Sequence, residues 1–548
     1  MRRSKFLLVL GAACAVMGIT ASGAFAGVDA AAKKPLGVKA PSGGTVILGA
    51  DQEPRTLNTF ILEGNMYWGS VVTNPVLEGM YTFDNKGQQV LKAAESITLR
   101  NRSPLTVDWK IKAAAKWSDG RHVSADDVIF TFTTIMNKNW TITSRVGYED
   151  IRRIRKLNDK TVRVIFKKPY APYRLLFGRL IPKHKAQGQN FDQYWRNGLD
   201  IASGPFRFTS WNRGSQMVIS KNPTYHGKKA TLNQIVFRFI PDTNTQFQAM
   251  RGGEVNMIAP QPQLQIADIR KQAGITVQAG PEFAWEHLDM QWGPTGHPAL
   301  KRLFVRQALV TGINRRQIAT ALYREIAPNL PVLNNAIYKP FQTQYVAHRW
   351  QPFGFSQRKA IEILRQNGCT GGPARPGAGG IYSCPGVGRL SFNFGTTAGN
   401  QLRELAFAIM QQQLKSVGIE LKAAFFPATQ LSSTLVAKRF EVVLFTWIGS
   451  SDPGGSVNIH KCGGPQNFND YCSRPVSRLL IKSNEEVDPK KRTALMNEAD
   501  RLMATHLPTL PLFARPGFLI HDSRIRGALK NPTNAGPTWN AENWSFAR

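Results

Sequence analysis

Strand-like and helix-like periodicities alternate along this chain, and this alternation restricts the fold more than any other feature. Apolar residues occupy every second position in 107–111, 162–166 and 235–239, as in half-buried β-strands. Between 402 and 417 they recur at three-to-four spacing and stop at Gly418, which predicts an amphipathic helix with a glycine cap. Helices interleaved with short strands favour an α/β layered fold over a β-sandwich or a helical bundle.

The N-terminus has the three parts of a secretory signal peptide. Basic residues precede an apolar run from 6 to 19, and small residues lead up to Ala26. We therefore expect residues 1–26 to be a signal peptide that is cleaved after Ala26. Residues 27–41 are rich in Ala, Lys, Pro and Gly without periodicity, which predicts a flexible leader before the fold.

In an alternative interpretation of the N-terminus, Cys14 is a lipid-anchored residue. It is disfavoured because Gly11 stands three residues before the cysteine, where a leucine is expected, and because the apolar core would be short. No later run of eighteen apolar residues predicts a membrane span. We therefore expect the mature protein in the periplasm or on the exterior of the cell envelope.

The chain is strongly basic, with 70 Lys and Arg against 36 Asp and Glu and a formal charge of +34. The basic residues are scattered in twos and threes rather than concentrated in a stripe with interleaved aromatics, which disfavours nucleic acid as a specific partner. The resulting field favours anionic envelope polymers or acidic solutes.

Four cysteines remain after the signal peptide, an even number that favours disulfides in an exported protein. Their short separations suggest Cys369–Cys384 and Cys462–Cys472, although four cysteines allow three pairings. The alternative is a metal site built from His460, Cys462 and Cys472, which offers three ligands where structural zinc uses four. We expect disulfides and neither a metal nor a cofactor.

Sequence motifs of the common catalytic sites are missing. The chain has no phosphate-binding G-x-x-x-x-G-K-[ST] loop, no H-E-x-x-H and no serine in a G-x-S-x-G setting. The paired carboxylates of a glycosidase come from distant positions, so a secreted hydrolase stays an alternative. The expectation is that the protein is not an enzyme.

The segment 103–130 contains a strand, a turn at Asp119-Gly120, and a helix starting near Ser124 with Asp126 and Asp127 in its first turn. This run resembles the signature of the oligopeptide- and dipeptide-binding receptors of ABC importers, extracytoplasmic solute-binding protein family 5. The signature is structural, and within it Trp117 is predicted to be a core residue. Further matches follow in the family's order through about 44–545, at 53–58, 76–81, 203–206, 221–225, 250–255, 305–309, 440–442, 447–453, 507–511 and 536–539.

The resemblance implies a two-lobed periplasmic-binding-protein fold with a cleft between the lobes. Lobe I is placed at 42–283 plus 511–548, with an added subdomain at about 78–197, and lobe II at 284–510. Crossings near 281–283 and 510–512 would act as hinges. The implied protein is a monomer that closes over a peptide or peptide-like solute and delivers it to an ABC importer permease in the cytoplasmic membrane.

The resemblance also implies ligand contacts in the segment 446–452, which follows a buried strand. Trp447 is the leading candidate, although a core tryptophan at the end of a strand is the alternative. Peptide-binding relatives place an aspartate three residues after this tryptophan, where this chain has Ser450. Asp452 either replaces that aspartate or initiates a turn. Thr446 and Gly449 complete this set of candidates.

A second departure lies in the loop 395–400, which lacks the arginine that dipeptide binders use for the peptide carboxylate. Thr397 and the nearby Arg403 are candidates there. Dipeptide specificity therefore loses support, and longer peptides or a sugar oligomer stay open, as does an envelope protein that binds anionic polymers. The candidates from the first lobe are Glu53, Thr56, Tyr67 and Trp68.

Overall fold

The computed structural model describes residues 44–350, 353–427 and 430–547. The predicted signal peptide 1–26, the leader 27–41 and the lipid-anchor candidate Cys14 lie outside the described residues. No helix within the described ranges is long and apolar enough to cross a membrane.

Strands occur along the whole described chain and supply one large sheet and several small ones. The strands are β1 Thr45–Ala50, β2 Tyr81–Phe83, β3 Gln89–Leu91, β4 Ala94–Arg102, β5 Leu105–Ile111, β6 Ile151–Asn158, β7 Thr161–Phe166, β8 Phe206–Asn212, β9 Gln216–Lys221, β10 Gln234–Phe239, β11 Met257–Ile258, β12 Ile275–Met290, β13 Ser383–Cys384, β14 Gly388–Arg389, β15 Ser391–Gly395, β16 Glu420–Ala423, β17 Val442–Trp447, β18 Thr509–Asp522, β19 Ile525–Arg526 and β20 Ser545–Phe546.

Helices alternate with these strands and concentrate in the second half of the chain. The α-helices are α1 Tyr67–Thr73, α2 Ala125–Met136, α3 Lys183–Ala186, α4 Thr243–Gly252, α5 Gln265–Ile269, α6 Leu303–Gly312, α7 Arg315–Tyr323, α8 Gln357–Gln366, α9 Gln401–Lys415, α10 Leu431–Val436, α11 Ser456–His460, α12 Arg474–Glu485 and α13 Pro489–His506. This interleaving confirms the α/β class.

Ten strands form one mixed sheet in the order β16-β15-β17-β12-β18-β11-β1-β10-β9-β8. β1 runs parallel to β10 and β11, and β15 runs parallel to β16 and β17. A separate antiparallel sheet, β4-β5-β7-β6, lies within the predicted subdomain. The period-two segments of the sequence are β5, β7 and β10, as predicted.

Local sequence signals set the ends of the best-predicted helices. α9 covers the predicted amphipathic segment, and Gly418 follows it at φ 80°, a left-handed conformation that glycine adopts without strain. α2 begins after Ser124, whose amide donates to the Asp127 carboxylate at 2.9 Å. Trp117 donates to the same carboxylate and is 1% exposed, which confirms that this tryptophan is a core residue.

Two long strands, β12 and β18, connect the halves of the large sheet. They pair antiparallel through most of their length, but the register shifts between Pro281 and Trp285. Opposite this irregularity lie Ala514 and Pro516 of β18. The extra residues of β12 leave part of the ladder unpaired and bend the strand. The predicted crossing at 281–283 coincides with this bulge, whereas the partner position in β18 lies slightly beyond the predicted 510–512.

Buried side chains form two large clusters. One draws on residues between 46 and 257 and on 519–544 near the C-terminus. The other draws on residues between 247 and 520. The segment 247–269 of the first predicted lobe therefore contributes to the core of the second cluster. The exact lobe boundaries stay a prediction.

Both predicted disulfides are confirmed. The S–S distances are 2.00 Å for Cys369–Cys384 and 2.14 Å for Cys462–Cys472. Because the sulfurs of Cys462 and Cys472 are joined to each other, they do not offer the thiolates that the alternative metal site with His460 requires. Within the described ranges, no group of three or more His, Cys, Asp or Glu side chains is arranged to hold a metal ion.

Candidate functional site

A cavity of about 390 Å³ lies beside the bulge in β12, at the register shift of its pairing with β18. Its volume falls in the range of small-molecule sites. Residues that are far apart in the chain line it together. They come from the start of α1, the residues after β17, the paired strands β12 and β18, and the segment after β19. Its lining includes Tyr67, Gln261, Glu282, Ile448, Gly449, Arg515, Gly517, Lys530 and Asn534.

A smaller cavity of about 140 Å³ adjoins the first one. Gln261, Pro262 and Arg515 line both cavities, so the two form one cleft that continues towards α7 and α9. The smaller cavity adds Glu286 and Arg403 to the charged groups of the cleft. Below, "the cleft" refers to these two cavities together.

Arg515 and Glu282 form an ion pair at the bulge. The Arg515 Nε and Nη2 atoms donate to Glu282 Oε2 at 3.1 and 2.9 Å, and Arg515 Nη1 donates to Gln261. Burial lowers the pKa of Arg515, but the Glu282 carboxylate outweighs this effect and the net pKa is raised. Arg515 is therefore a fixed cation whose charge is already compensated.

Glu286 and Arg403 form a second pair in the smaller cavity. Arg403 Nη2 donates to Glu286 at 3.1 Å and to Thr446 Oγ1 at 2.7 Å, and Nη1 donates to Thr397 Oγ1 at 3.0 Å. Thr446 donates to the same carboxylate. Burial favours a raised pKa for Glu286, but the Arg403 charge and the Thr446 hydroxyl outweigh it and hold the pKa below its usual value.

Both the sequence and the fold of this chain are similar to those of known proteins. Residues 89–468 match the family described as bacterial extracellular solute-binding proteins, family 5 Middle. This chain belongs to that family. The predicted role as an extracellular solute-binding receptor is thereby confirmed, and family 5 proteins are binding proteins rather than enzymes.

Two curated family 5 relatives align along most of this solute-binding protein. The oligopeptide-binding protein AppA of Bacillus subtilis is 24% identical over 574 aligned residues, which cover 100% of both chains. The oligopeptide-binding protein OppA of Mycobacterium tuberculosis is 24% identical over 512 residues, covering 89% of this chain and 82% of OppA.

Solved structures of similar proteins share the two-lobed fold. A periplasmic EDTA-binding protein, EppA, aligns with a TM-score of 0.83 at 21% identity, covering 92% of this chain and 97% of that one. The B. subtilis AppA structure, solved with a nonapeptide, aligns with a TM-score of 0.74 at 22% identity, covering 92% and 99%. The predicted two-lobed periplasmic-binding-protein fold is confirmed.

Five of the predicted ligand contacts of this solute-binding protein lie at the cleft or next to it. Tyr67 and Gly449 line the larger cavity and Arg403 lines the smaller one. Thr446 contacts the Arg403 guanidinium from β17. Thr397 supports Arg403 from the loop before α9. Their roles in binding a solute stay predictions.

Trp447 does not line either cavity. Its indole is 9% exposed and stacks against Phe468 at 5.5 Å and His287 at 6.0 Å between ring centroids. Side chains alternate between the two faces of a strand, so Thr446 and Trp447 of β17 point to opposite faces. The next residue, Ile448, lines the larger cavity instead and is 68% exposed.

Ser450 and Asp452 lie in the loop after β17 and outside the cavity linings. Ser450 is exposed and its hydroxyl donates to the Asp452 carbonyl oxygen at 2.8 Å. The Asp452 carboxylate accepts from Arg492 Nη1 and Nη2 at 2.6 and 2.8 Å, and from the Gly454 amide at 2.7 Å. These contacts match the turn-initiating alternative for Asp452.

Three first-lobe candidates are occupied by contacts within the protein. Glu53 accepts from Trp211 Nε1 at 2.8 Å and from the Gly214 amide. Thr56 is fully buried and donates to a backbone carbonyl. Trp68 is 3% exposed and donates to Asp51. Among these three, none lines the cleft within the described ranges.

The sequence did not point to the charged residues of the cleft other than Arg403. Glu282 and Glu286 lie on β12, Arg515 lies on β18, and Lys530 follows β19. Their one sequence signal was the predicted crossing at 281–283, since ligands of two-lobed proteins bind where the lobes meet. The pairing of strands more than 200 residues apart, which makes them neighbours, has no local signature.

Proposed function

We propose that this protein is the extracytoplasmic receptor of an ABC importer, and that it captures peptides or peptide-like solutes in the cleft. The observation that carries this proposal is the position of the cleft. Its lining combines both connecting strands with residues of both core clusters, so a bound solute contacts both halves and favours their closure. The closed form would be the one that a membrane permease binds.

The chemistry of the cleft suits a polar, peptide-sized solute. Its lining joins charged pairs and amide side chains to the glycines Gly449 and Gly517. Backbone groups and a few polar side chains are the usual means of orienting a ligand in such a site. The curated relatives AppA and OppA are named for oligopeptides, which supports the same class here.

A binding screen tests the proposal. The protein lacking residues 1–26 would be refolded from denaturant to remove bound solute, and its unfolding would then be followed with pools of di- to decapeptides, oligosaccharides and metal chelates. A ligand at about 100 times its dissociation constant adds about 2.7 kcal/mol to the free energy of unfolding. Stabilisation by peptides supports the proposal, whereas stabilisation by sugars or chelates alone reassigns the solute class.

A matched control separates cleft binding from unspecific attraction of acidic peptides to a chain of charge +34. Ile448→Glu places a charge on an exposed side chain of the cavity wall, and Leu405→Glu does the same on the exposed side of α9. Both variants change the net charge equally. Loss of binding in Ile448→Glu alone supports the cleft, and equal losses in both contradict it.

A further inference from the structure

Lys530 is a cation of the larger cavity whose charge the protein does not compensate. Among the described residues, no carboxylate oxygen lies within 4 Å of its Nζ atom, so Lys530 takes part in no ion pair. The other basic residues that line the cleft, Arg403 and Arg515, each form one. Its Nζ donates to the Pro281 carbonyl oxygen at 3.3 Å, a long and weak contact.

The neighbouring charges do not supply the missing counterion. Arg515 and Glu282 compensate each other within the same cavity, so the wall of that cavity carries one positive charge in excess. Burial lowers the pKa of Lys530, the Glu282 carboxylate raises it and the Arg515 guanidinium lowers it further, with a net decrease. An ammonium group in such surroundings gains from an anion that enters the cavity.

The Lys530 side chain lies next to the bulge of β12. The side chain lies against β12 at the bulge, with its Cδ atom 3.9 Å from the site of a Cβ on Gly280, and its Nζ atom reaches Pro281. Tyr67 of α1 lines the same cavity. A solute that fills this cavity would contact both α1 and the side chain that reaches the bulge.

We propose that Lys530 anchors an anionic group of the bound solute, which in a peptide is the C-terminal carboxylate. The inference rests on the proposed function and names a residue that determines which solutes the cleft accepts. It predicts that the cleft discriminates between a solute with a free carboxylate and the same solute with that carboxylate blocked. It also predicts that this discrimination resides in one side chain.

Isothermal titration tests the anchor with two matched probes, Ala-Ala-Ala-Ala and its C-terminal amide. We expect the amide to bind the wild-type protein about tenfold or more weakly, since a hydrogen bond to a charged partner is worth that much. Lys530→Met should bind both peptides alike, at the weak level. Lys530→Arg should keep the preference, and the exposed Lys301→Met variant should behave as wild type.

Two further anions, citrate and EDTA, distinguish failure of the anchor from failure of the peptide assignment. If neither peptide binds but an anion binds and weakens about tenfold or more in Lys530→Met, the anchor stands and the peptide class is wrong. If the preference for the free carboxylate persists in Lys530→Met, or is missing from the wild type, the anchor is wrong. Wild-type protein that binds none of the four probes at millimolar concentration also contradicts it.

A folding control accompanies these titrations. Unfolding of each unliganded variant is followed by circular dichroism, and Lys530→Gln replaces Lys530→Met if the latter does not fold. We expect both substitutions to fold, because each removes an uncompensated charge from a partly buried position.

Discussion

The Glu286 carboxylate is buried, yet it is held as an anion by two neighbours, Arg403 and Thr446. Removing one member of a buried pair leaves the other charge uncompensated, which costs about 3 kcal/mol or more. We therefore expect Arg403→Met to lower the free energy of unfolding by about 3 kcal/mol at neutral pH, measured by urea denaturation. Glu286→Gln in the same background should recover most of this loss. Lys110→Met, which breaks an exposed pair with Glu95, should change stability by less than about 1 kcal/mol.

The same pair predicts a pH dependence with a definite sign. The pKa of Glu286 in the folded protein is below its usual value of 4.5, so the pair stabilises the fold above pH 4.5 and loses this effect as the pH falls through the lowered value. Without Arg403, burial dominates and the carboxyl protonates more readily. The stability difference between wild type and Arg403→Met should therefore be largest near pH 7 and narrow below about pH 4.5. A difference that is constant from pH 7 to pH 3 would contradict the role given to Arg403.

Trp447 and Ile448 are adjacent in sequence but face different surroundings. The buried Trp447 indole packs among aromatic rings, so Trp447→Ala should cost about 3–5 kcal/mol of stability through the cavity it leaves. Ile448→Ala removes atoms that are mostly exposed and should cost less than about 0.5 kcal/mol. Urea denaturation measures both values, and titration with a peptide ligand should show the larger change in affinity for Ile448→Ala. The opposite order of affinities would support the sequence-based expectation that Trp447 contacts the solute.

The predicted segment borders the cleft, but the side chain that lines the larger cavity is Ile448 and not the leading candidate Trp447. The run 446–449 does border the cleft, yet which of its residues points inward depends on the register of β17 against β12, where Trp285 lies opposite Trp447. A shift of one residue exchanges the two faces of a strand. Register is fixed by the complete sheet, so a motif read alone cannot supply it.

At the level of secondary-structure elements, local signals predicted the structure well. The start of α2 followed from Ser124 and the acids after it, because capping involves residues only three positions apart. Both disulfides followed from short separations along the chain. The pairing of the long strands β12 and β18 was not predicted from the sequence, because their hydrogen bonds join residues more than 200 positions apart.

Asp127, which belongs to the family signature, stabilises the start of α2 through its hydrogen bonds. Its carboxylate accepts from the amides of Ser124 and Lys183 at 2.9 Å and from Trp117 Nε1 at 3.3 Å. Asp127→Ala leaves these buried donors without a partner, and we expect a loss of about 2–4 kcal/mol in the free energy of unfolding. The adjacent Asp126→Ala should cost less than about 1 kcal/mol, because its ion pair with Lys156 is exposed. Peptide affinity should stay unchanged in both variants, and a selective loss of affinity in Asp127→Ala would contradict a purely structural role.

At the scale of the whole molecule, the cleft and the two connecting strands belong to one mechanism. The bulge of β12 interrupts the ladder next to the cavity, so a change of backbone angle there would change the angle between the two halves of the large sheet. A solute that contacts both sides shifts the population towards the closed arrangement by its differential affinity for the two states. We therefore expect a saturating peptide to reduce the radius of gyration in solution, measured by X-ray scattering. Ile448→Glu, which is designed to block the cleft wall, should remain at the radius of the unliganded protein under the same conditions. A peptide that raises the free energy of unfolding but leaves the radius unchanged would separate binding from closure, and the crossing of β12 and β18 would then be a rigid connection rather than a hinge.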